Sequence, residues 1–335
     1  MTEEYKFPGL LKNGSWDLHD QLNMAAQALA HPAEQLAVVD LTGTDRVDVT
    51  YGDLAVMVDG LARYLLTRAQ PDEPVGVLLS QSPWCLAAHL AIWKVGGISV
   101  PLFKLFKRDA LASRAGDAGI RFVFTDVEGS ELLGDLAEPV IVSDAGLPGA
   151  PVEFASTMPE TPAVLIYTSG TTGSPKGALH GHRVLTGHLP GVSISHDHLG
   201  QPGDCLWTPA DWAWIGGLFD VAMPGLALGV PVVAARLDKF TPEACTDVIA
   251  RGDVRNVFFP PTALRMLRAA GQGLDGLRSV ASGGEPLGAE MLAWGQRRFG
   301  VSINEFYGQT ECNMVASSCG VDFAPRPGCI GKGVP

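Results

Sequence analysis

Tyr167-Thr-Ser-Gly-Thr-Thr-Gly-Ser-Pro-Lys-Gly177 follows directly on the apolar run Ala163-Val-Leu-Ile-Tyr167. A continuous apolar run of this kind reads as a buried strand. The polar loop then leaves the strand at its carboxyl end, where open α/β sheets place their ligands. Glycines let backbone N–H groups approach phosphate oxygens. Hydroxyls on Thr168, Ser169, Thr171, Thr172 and Ser174 add donors, and Lys176 adds a full positive charge against a polyanion. A Walker A loop would end in Gly-Lys-Ser or Gly-Lys-Thr so that a hydroxyl reaches magnesium. Here Pro175 precedes the lysine and Gly177 follows it, so that reading fails.

Outward from this loop, short apolar runs alternate with helical patterns. Val75 to Leu79, Ile98 to Phe103, Phe122 to Thr125 and Val140 to Val142 read as strands, with a helix over Trp84 to Val95. The rhythm repeats in strands at Cys205 to Thr208, Pro231 to Ala235, Asn256 to Phe259, Leu277 to Ala281 and Val301 to Phe306. Helices fill Glu243 to Arg251, Thr262 to Ala270 and Gly288 to Phe299. This βαβ alternation predicts an α/β fold of mainly parallel sheets flanked by helices, and the length predicts two packed sheets. Pro, Gly and polar residues make loops of Asp144 to Pro162 and His196 to Gly203. Ile215 to Ala235 is long and apolar, but Asp220, Pro224 and Pro231 suit a buried helix followed by a strand better than a lipid span.

The chain has 335 residues, 46% of them apolar, and a formal net charge of −12. Such a field attracts neither nucleic acid nor an anionic membrane surface, so any nucleotide must be held by local donors. Six cysteines (Cys85, Cys205, Cys245, Cys312, Cys319, Cys329) form no C-x-x-C pair. The start is acidic rather than signal-like, so reduced thiols in the cytoplasm are expected. Irregular spacing of the last three favours ordinary thiols over metal ligands.

Further segments join the loop in one resemblance. Ser282-Gly-Gly-Glu-Pro-Leu287, Asn304-Glu-Phe-Tyr-Gly-Gln-Thr-Glu311, Ala210-Asp-Trp-Ala-Trp-Ile-Gly-Gly217 and Thr50-Tyr-Gly-Asp-Leu54 each resemble a motif of the adenylate-forming superfamily. That group contains acyl-CoA synthetases, luciferases and peptide-synthetase adenylation domains. The resemblance implies the large amino-terminal domain of that fold, incomplete, with its barrel subdomain and carboxyl-terminal domain missing. It places a first α/β subdomain at about 55–190, ending in the phosphate loop, and a second at about 15–50 plus 195–325. It further implies that the chain is a fragment, since a later Thr-Gly-Asp segment and a carboxyl-terminal lysine are not found before Pro335.

The same resemblance implies ATP-dependent activation of a carboxylic acid as an acyl-adenylate, followed by transfer to CoA. Small-molecule acid, ATP and CoA are then the partners, and Mg²⁺ the metal. Nucleotide contacts fall to Thr168, Ser169, Gly170, Thr171, Thr172, Gly173, Ser174, Pro175 and Lys176, to Gly284, Glu285 and Pro286, and to Glu305, Phe306, Tyr307, Gly308, Gln309 and Thr310. Lys176, Thr310 and Glu311 take catalytic roles, with Glu311 the hard-oxygen ligand for Mg²⁺. Gly283, Gly284 and Pro286 also suit a plain tight turn, and Tyr307 a plain sheet-edge aromatic.

Acetate-selective relatives carry tryptophan at the position matching Gly308, so glycine here implies room for a medium-chain or aryl acid. Trp212, Trp214, Ile215, Gly216 and Gly217 suit the wall of that acyl pocket, and equally suit ordinary core. Tyr307-Gly-Gln309 resembles the medium-chain acyl-CoA synthetase branch, whereas peptide-synthetase domains carry proline in place of Gln309. His180 is expected near the acyl or phosphate side, with His182 and His188 in helix-start or packing roles. Lys104, Lys107 and Arg108 suit a solvated helix entry better than a CoA contact. The alternatives are a silent nucleotide-binding fragment, or another carboxylate ligase such as an aryl-CoA ligase or peptide-synthetase adenylation domain.

Overall fold

Strand-forming runs pair into two sheets whose parallel centres put the loops that matter on neighbouring edges. A computed structural model describes residues 7, 9–11, 13–70, 72–168, 176–237 and 239–335. In chain order its strands are β1 (Leu36–Asp40), β2 (Val47–Thr50), β3 (Pro74–Leu78), β4 (Ile98–Pro101), β5 (Phe122–Thr125), β6 (Glu138–Ile141), β7 (Pro162–Thr168) and β8 (Lys176–Gly181). There follow β9 (Leu206–Trp207), β10 (Val232–Ala234), β11 (Asn256–Phe258), β12 (Ser279–Gly283), β13 (Ile303–Gln309), β14 (Asn313–Ser317) and β15 (Lys332–Gly333).

One sheet has the order β6-β5-β3-β4-β7-β8, the other β15-β14-β13-β12-β11-β9-β10-β1-β2. Pairing is parallel through both centres, and only β8, β2, β14 and β15 join antiparallel. The expected α/β class with mainly parallel, helix-flanked sheets is therefore what the chain adopts. The antiparallel β8 was not expected: Thr168 pairs with Lys176 and Tyr167 with Gly177, so β7 and β8 are neighbouring strands on either side of the phosphate-loop string. Its interior calls, Ser169, Gly170, Thr171, Thr172, Gly173, Ser174 and Pro175, lie outside the described residues.

A single apolar cluster draws side chains from both sheets, among them Val75, Phe122 and Val164 from one and Val38, Val232 and Phe306 from the other. The helix Pro83–Lys94 runs through it with nearly every residue buried, as a helix that is apolar all round must be. Ser82 caps it by accepting from the Cys85 N–H, and Pro83 stands at its first turn where no N–H is needed. The helix Tyr51–Arg68 opens with a reciprocal capping box between Thr50 and Asp53.

Ile215 to Ala227 is helical, as expected of a buried segment, but Leu218–Ala222 forms a π-helical turn. No helix among the described residues is long and apolar enough to cross a membrane. Two expectations need correction. Val142–Ala145 forms a short helix overlapping the stretch read as a loop from Asp144. Lys104 is buried rather than solvated. Its Nζ lies 2.8 Å from Asp126 and 2.9 Å from Glu128, and Glu128 also meets Arg236 beyond β10 at 2.7 Å. This triple tie bridges the loops of the two sheets.

Candidate active site

The motif segments converge where β12 and β13 end. Gly283 closes β12, and the turn beyond it is held by Glu305 of β13, whose buried carboxylate accepts from the Leu287 N–H at 2.9 Å. Glu305 thus shapes the turn, and Glu285 pairs outward with Arg265 at 2.8 Å. Gly284 and Pro286 are exposed on the turn, and Tyr307 stands 43% exposed on β13, available to a flat ring. The Phe306 side chain points the other way, packing on Phe258 with ring centroids 5.3 Å apart.

Beneath that turn lies a cavity of about 230 Å³. Its wall contains Ile215, Gly216, Gly283, Gly284, Phe306, Gly308, Gln309 and Thr310 from the motif residues, together with His188, Asp220, Phe258, Asn313 and Met314. An engineered cavity of about 150 Å³ takes benzene, so this one admits a ring or a short chain. A second recess of about 420 Å³ is lined by His180, Glu160, Arg183, Glu311 and Asn313 among others. Asn313 borders both spaces, which sets Thr310 on one side of the hairpin turn and Glu311 on the other.

The alternatives left open for the 210–217 segment separate residue by residue. Ile215 and Gly216 line the cavity. Trp212 is 1% exposed core. Trp214 packs against Phe103 and Phe106 with centroids 5.6 and 5.8 Å apart. Gly217 is a close-approach site: a Cβ there would sit 2.3 Å from the Asp211 carbonyl oxygen. Gln81 fixes the segment by donating to the Thr208 and Ala210 carbonyls at 3.1 and 2.6 Å. Burial pushes the Asp211 carboxyl up to about 6 while it accepts from the Ala213 N–H.

The three histidines after the loop part company. His182 precedes the helix Arg183–Ser195 and its Nδ1 accepts from the Met24 N–H at 3.1 Å. His180 faces the recess, and burial holds it below the ordinary histidine range. His188, expected as packing, lines the cavity and makes a 3.1 Å hydrogen bond from Nδ1 to Oδ1 of Asp220. Sequence reasoning missed this pair, along with Phe258, Asn313 and Met314. The one available signal was Asp220 itself, a lone acid in an apolar run that burial obliges to find a partner.

Lys176 is exposed at the start of β8, opposite Thr168. Glu311 is exposed at the hairpin turn. Cys319, read as an ordinary thiol from its irregular spacing, has the His198 Nε2 at 4.0 Å. Burial and the nearby Asp197 and Asp322 push that thiol up to about 12.

The sequence family described as "AMP-binding enzyme" matches residues 24–335. Acetyl-coenzyme A synthetase 2 of Candida albicans is 28% identical over 363 aligned positions, covering 91% of this chain and 52% of that protein. Acetyl-coenzyme A synthetase of Xanthobacter autotrophicus is 28% identical, covering 84% of this chain and 49% of its own. Among solved structures, the acyl-CoA synthetase of Brucella canis superposes with a TM-score of 0.87 at 26% identity, over 94% of this chain and 62% of that one. The chain spans about half the length of these curated relatives.

Proposed function

Since this chain belongs to the AMP-binding enzyme family, matched over residues 24–335, we propose that it supplies the nucleotide- and acid-binding part of an acid–thiol ligase acting on a medium-chain or aryl carboxylic acid. The observation that carries this reading is the single cavity whose wall joins Gly284, Gly308 and Thr310 of the nucleotide motifs to Ile215 and Gly216 of the acyl segment. Its volume of about 230 Å³ suits a ring or a chain longer than acetate.

A carboxylate cannot acylate a thiol directly, because oxide would have to leave. In the first step its oxygen attacks the α-phosphorus of ATP, the P–O bond to the β-phosphate breaks, and pyrophosphate departs with both electrons. In the second the CoA sulfur attacks the acyl carbon, the C–O bond to AMP breaks, and the thiol proton goes to solvent. Lys176, exposed beside the loop, opposes the phosphate charge. Thr310, in the cavity wall, donates toward the α-phosphate. The apolar cavity holds the acyl chain and keeps water from the mixed anhydride. Glu311 fits a magnesium site, being an exposed carboxylate at the recess, and such sites take one or two carboxylates plus substrate phosphates. Bound there, the ion would offset charge on the phosphates. All six cysteines are free thiols, which accords with a cytoplasmic setting.

The test is thermal stabilisation of this chain by AMP and by sulfamate mimics of octanoyl-, benzoyl- and acetyl-adenylate, since a ligand that binds only the folded state raises the melting point with its affinity. Shifts ordered octanoyl or benzoyl above acetyl, and acetyl at or above AMP, are expected. A cooperative melt that none of the four moves would refute the reading.

A further inference from the structure

One buried polar atom of the cavity wall has no hydrogen-bond partner among the described residues. His188 is 1% exposed, its Nδ1 is spent on Asp220, and its Nε2 has no hydrogen-bond partner among the described residues. The ring is a wall of the cavity, and it is fixed there from three sides. Asp220 bonds it at 3.1 Å. Phe219 lies against it with centroids 5.6 Å apart. Its own helix packs closely on β14: a Cβ on Gly187 or Gly191 would meet the Asn313 side chain at 3.0 Å or the Met314 side chain at 2.9 Å. Asp220 in turn sits in the π-helical turn Leu218–Ala222, a distortion frequent at functional sites.

We propose that the acid activated in this cavity carries a hydroxyl group remote from its carboxyl, and that this hydroxyl donates to Nε2 of His188. The inference rests on the acyl-pocket reading above and specifies its substrate. The chemistry follows from the tautomer: with Asp220 accepting from the Nδ1–H, Nε2 is the acceptor nitrogen of the ring. A plain alkyl or aryl group pressed against that nitrogen leaves it desolvated and unpaired. A hydroxyl pairs it, and sites that hydrogen-bond a substrate group reject analogues lacking it far better than apolar pockets reject an extra one. Ile215, Phe258, Phe306 and Met314 supply the apolar remainder of the wall, so the acid is a hydroxylated chain or ring rather than a sugar acid.

The experiment measures affinities of this chain for acyl-adenylate sulfamates by calorimetry. Hexanoyl and benzoyl mimics are compared with hydroxylated counterparts, the chain substituted at each carbon from C4 to C6, and with the matching ketones, which fill similar space but only accept. At least one hydroxylated mimic should bind about tenfold or more tighter than both its plain and its keto partner. That ratio should collapse toward one in His188→Leu. Asp220→Asn gives a second route that preserves shape: the amide donates to Nδ1, the ring proton moves to Nε2, and the hydroxyl's advantage over the ketone should vanish. Plain or keto mimics that match every hydroxylated one in the wild type overturn the inference alone, because they still bind better than AMP. A hydroxyl preference that survives both substitutions also overturns it. If no mimic exceeds AMP, the acyl-pocket reading fails and this inference with it.

Discussion

Gly308 offers the sharpest quantitative test of the site, because its hydrogen faces backbone rather than empty pocket. A Cβ at this position would lie 2.3 Å from the Asn313 carbonyl oxygen and 3.0 Å from the Met314 Cα. Carbon–oxygen contacts in sheets settle at about 3.3 Å, so Gly308→Ala must part β13 and β14 locally by about 1 Å. The strained ladder positions are Gly308 with Met314 and Gln309 with Asn313. Overpacking of this kind costs about 1–3 kcal/mol, and at roughly 2 °C per kcal/mol for a chain of this size the melting point should fall by roughly 2–6 °C. Since Asn313 and Met314 also line the cavity, stabilisation by a benzoyl- or octanoyl-sulfamate should shrink as well. The assay is paired melts with and without the mimic. An alanine variant that melts within about 1 °C of wild type, with an undiminished ligand shift, would refute the argument. By the same geometry, Gly308→Trp is not a simple pocket plug here: the hairpin must be rebuilt before the indole can enter.

Pocket narrowing is better tried at half-buried Ile215, where Ile215→Trp projects into a cavity of about 230 Å³. It should abolish the shift given by benzoyl- and octanoyl-sulfamates while sparing the acetyl mimic, and equal losses for all three would count against the wall assignment. Lys176→Ala and Glu311→Ala alter exposed side chains, so each should leave the melting point within about 1 °C. In a ligase containing this chain each should lower pyrophosphate exchange at least about tenfold, and wild-type exchange in both variants would remove their assigned roles. Acid stability should be governed by buried histidines, since burial lowers His89 and His196 to about 3 and His182 to about 4. Their folded values lie below the unfolded value near 6.5, so the unfolded chain binds more protons at intermediate pH, and stability is full above about 6.5 and lost as pH falls. Together they predict a slope of up to about 4 kcal/mol per pH unit below pH 6. A melting point unchanged between pH 7.5 and pH 5 would contradict it.

The parallel centres of both sheets were legible because each strand is a short apolar run between helical patterns, and β3, β5, β11 and β12 fall within two residues of the stretches the pattern marks. The antiparallel partners were not. β8 reads Lys-Gly-Ala-Leu-His-Gly with mixed exposure, and its identity as a strand comes from the ladder offered by β7 rather than from its own composition. The same holds for β14, whose register shifts between Tyr307 and Gly308 to accommodate the hairpin. Antiparallel partners of this kind are defined by a neighbour's unpaired backbone groups, which no local window contains.

The site divides along the same line. Motif residues could be placed because they sit on contiguous strings, and the structure then sorted Ile215 from Trp212 by burial, a property that apolar residues share in pockets and in cores. His188 and Asp220 belong to no string: they lie on separate helical segments and meet only through packing. Yet half of that contact was written in the chain. An acid inside the apolar run Ile215 to Ala235 must be paired or ligand-facing wherever it is buried, so Asp220 posed the question of which group meets it. Geometry answers it by exclusion as well as by contact. His182 is used at Met24 and His180 turns to the recess, which leaves His188, a residue of the cavity wall, with one nitrogen on Asp220 and the other unpartnered among the described residues.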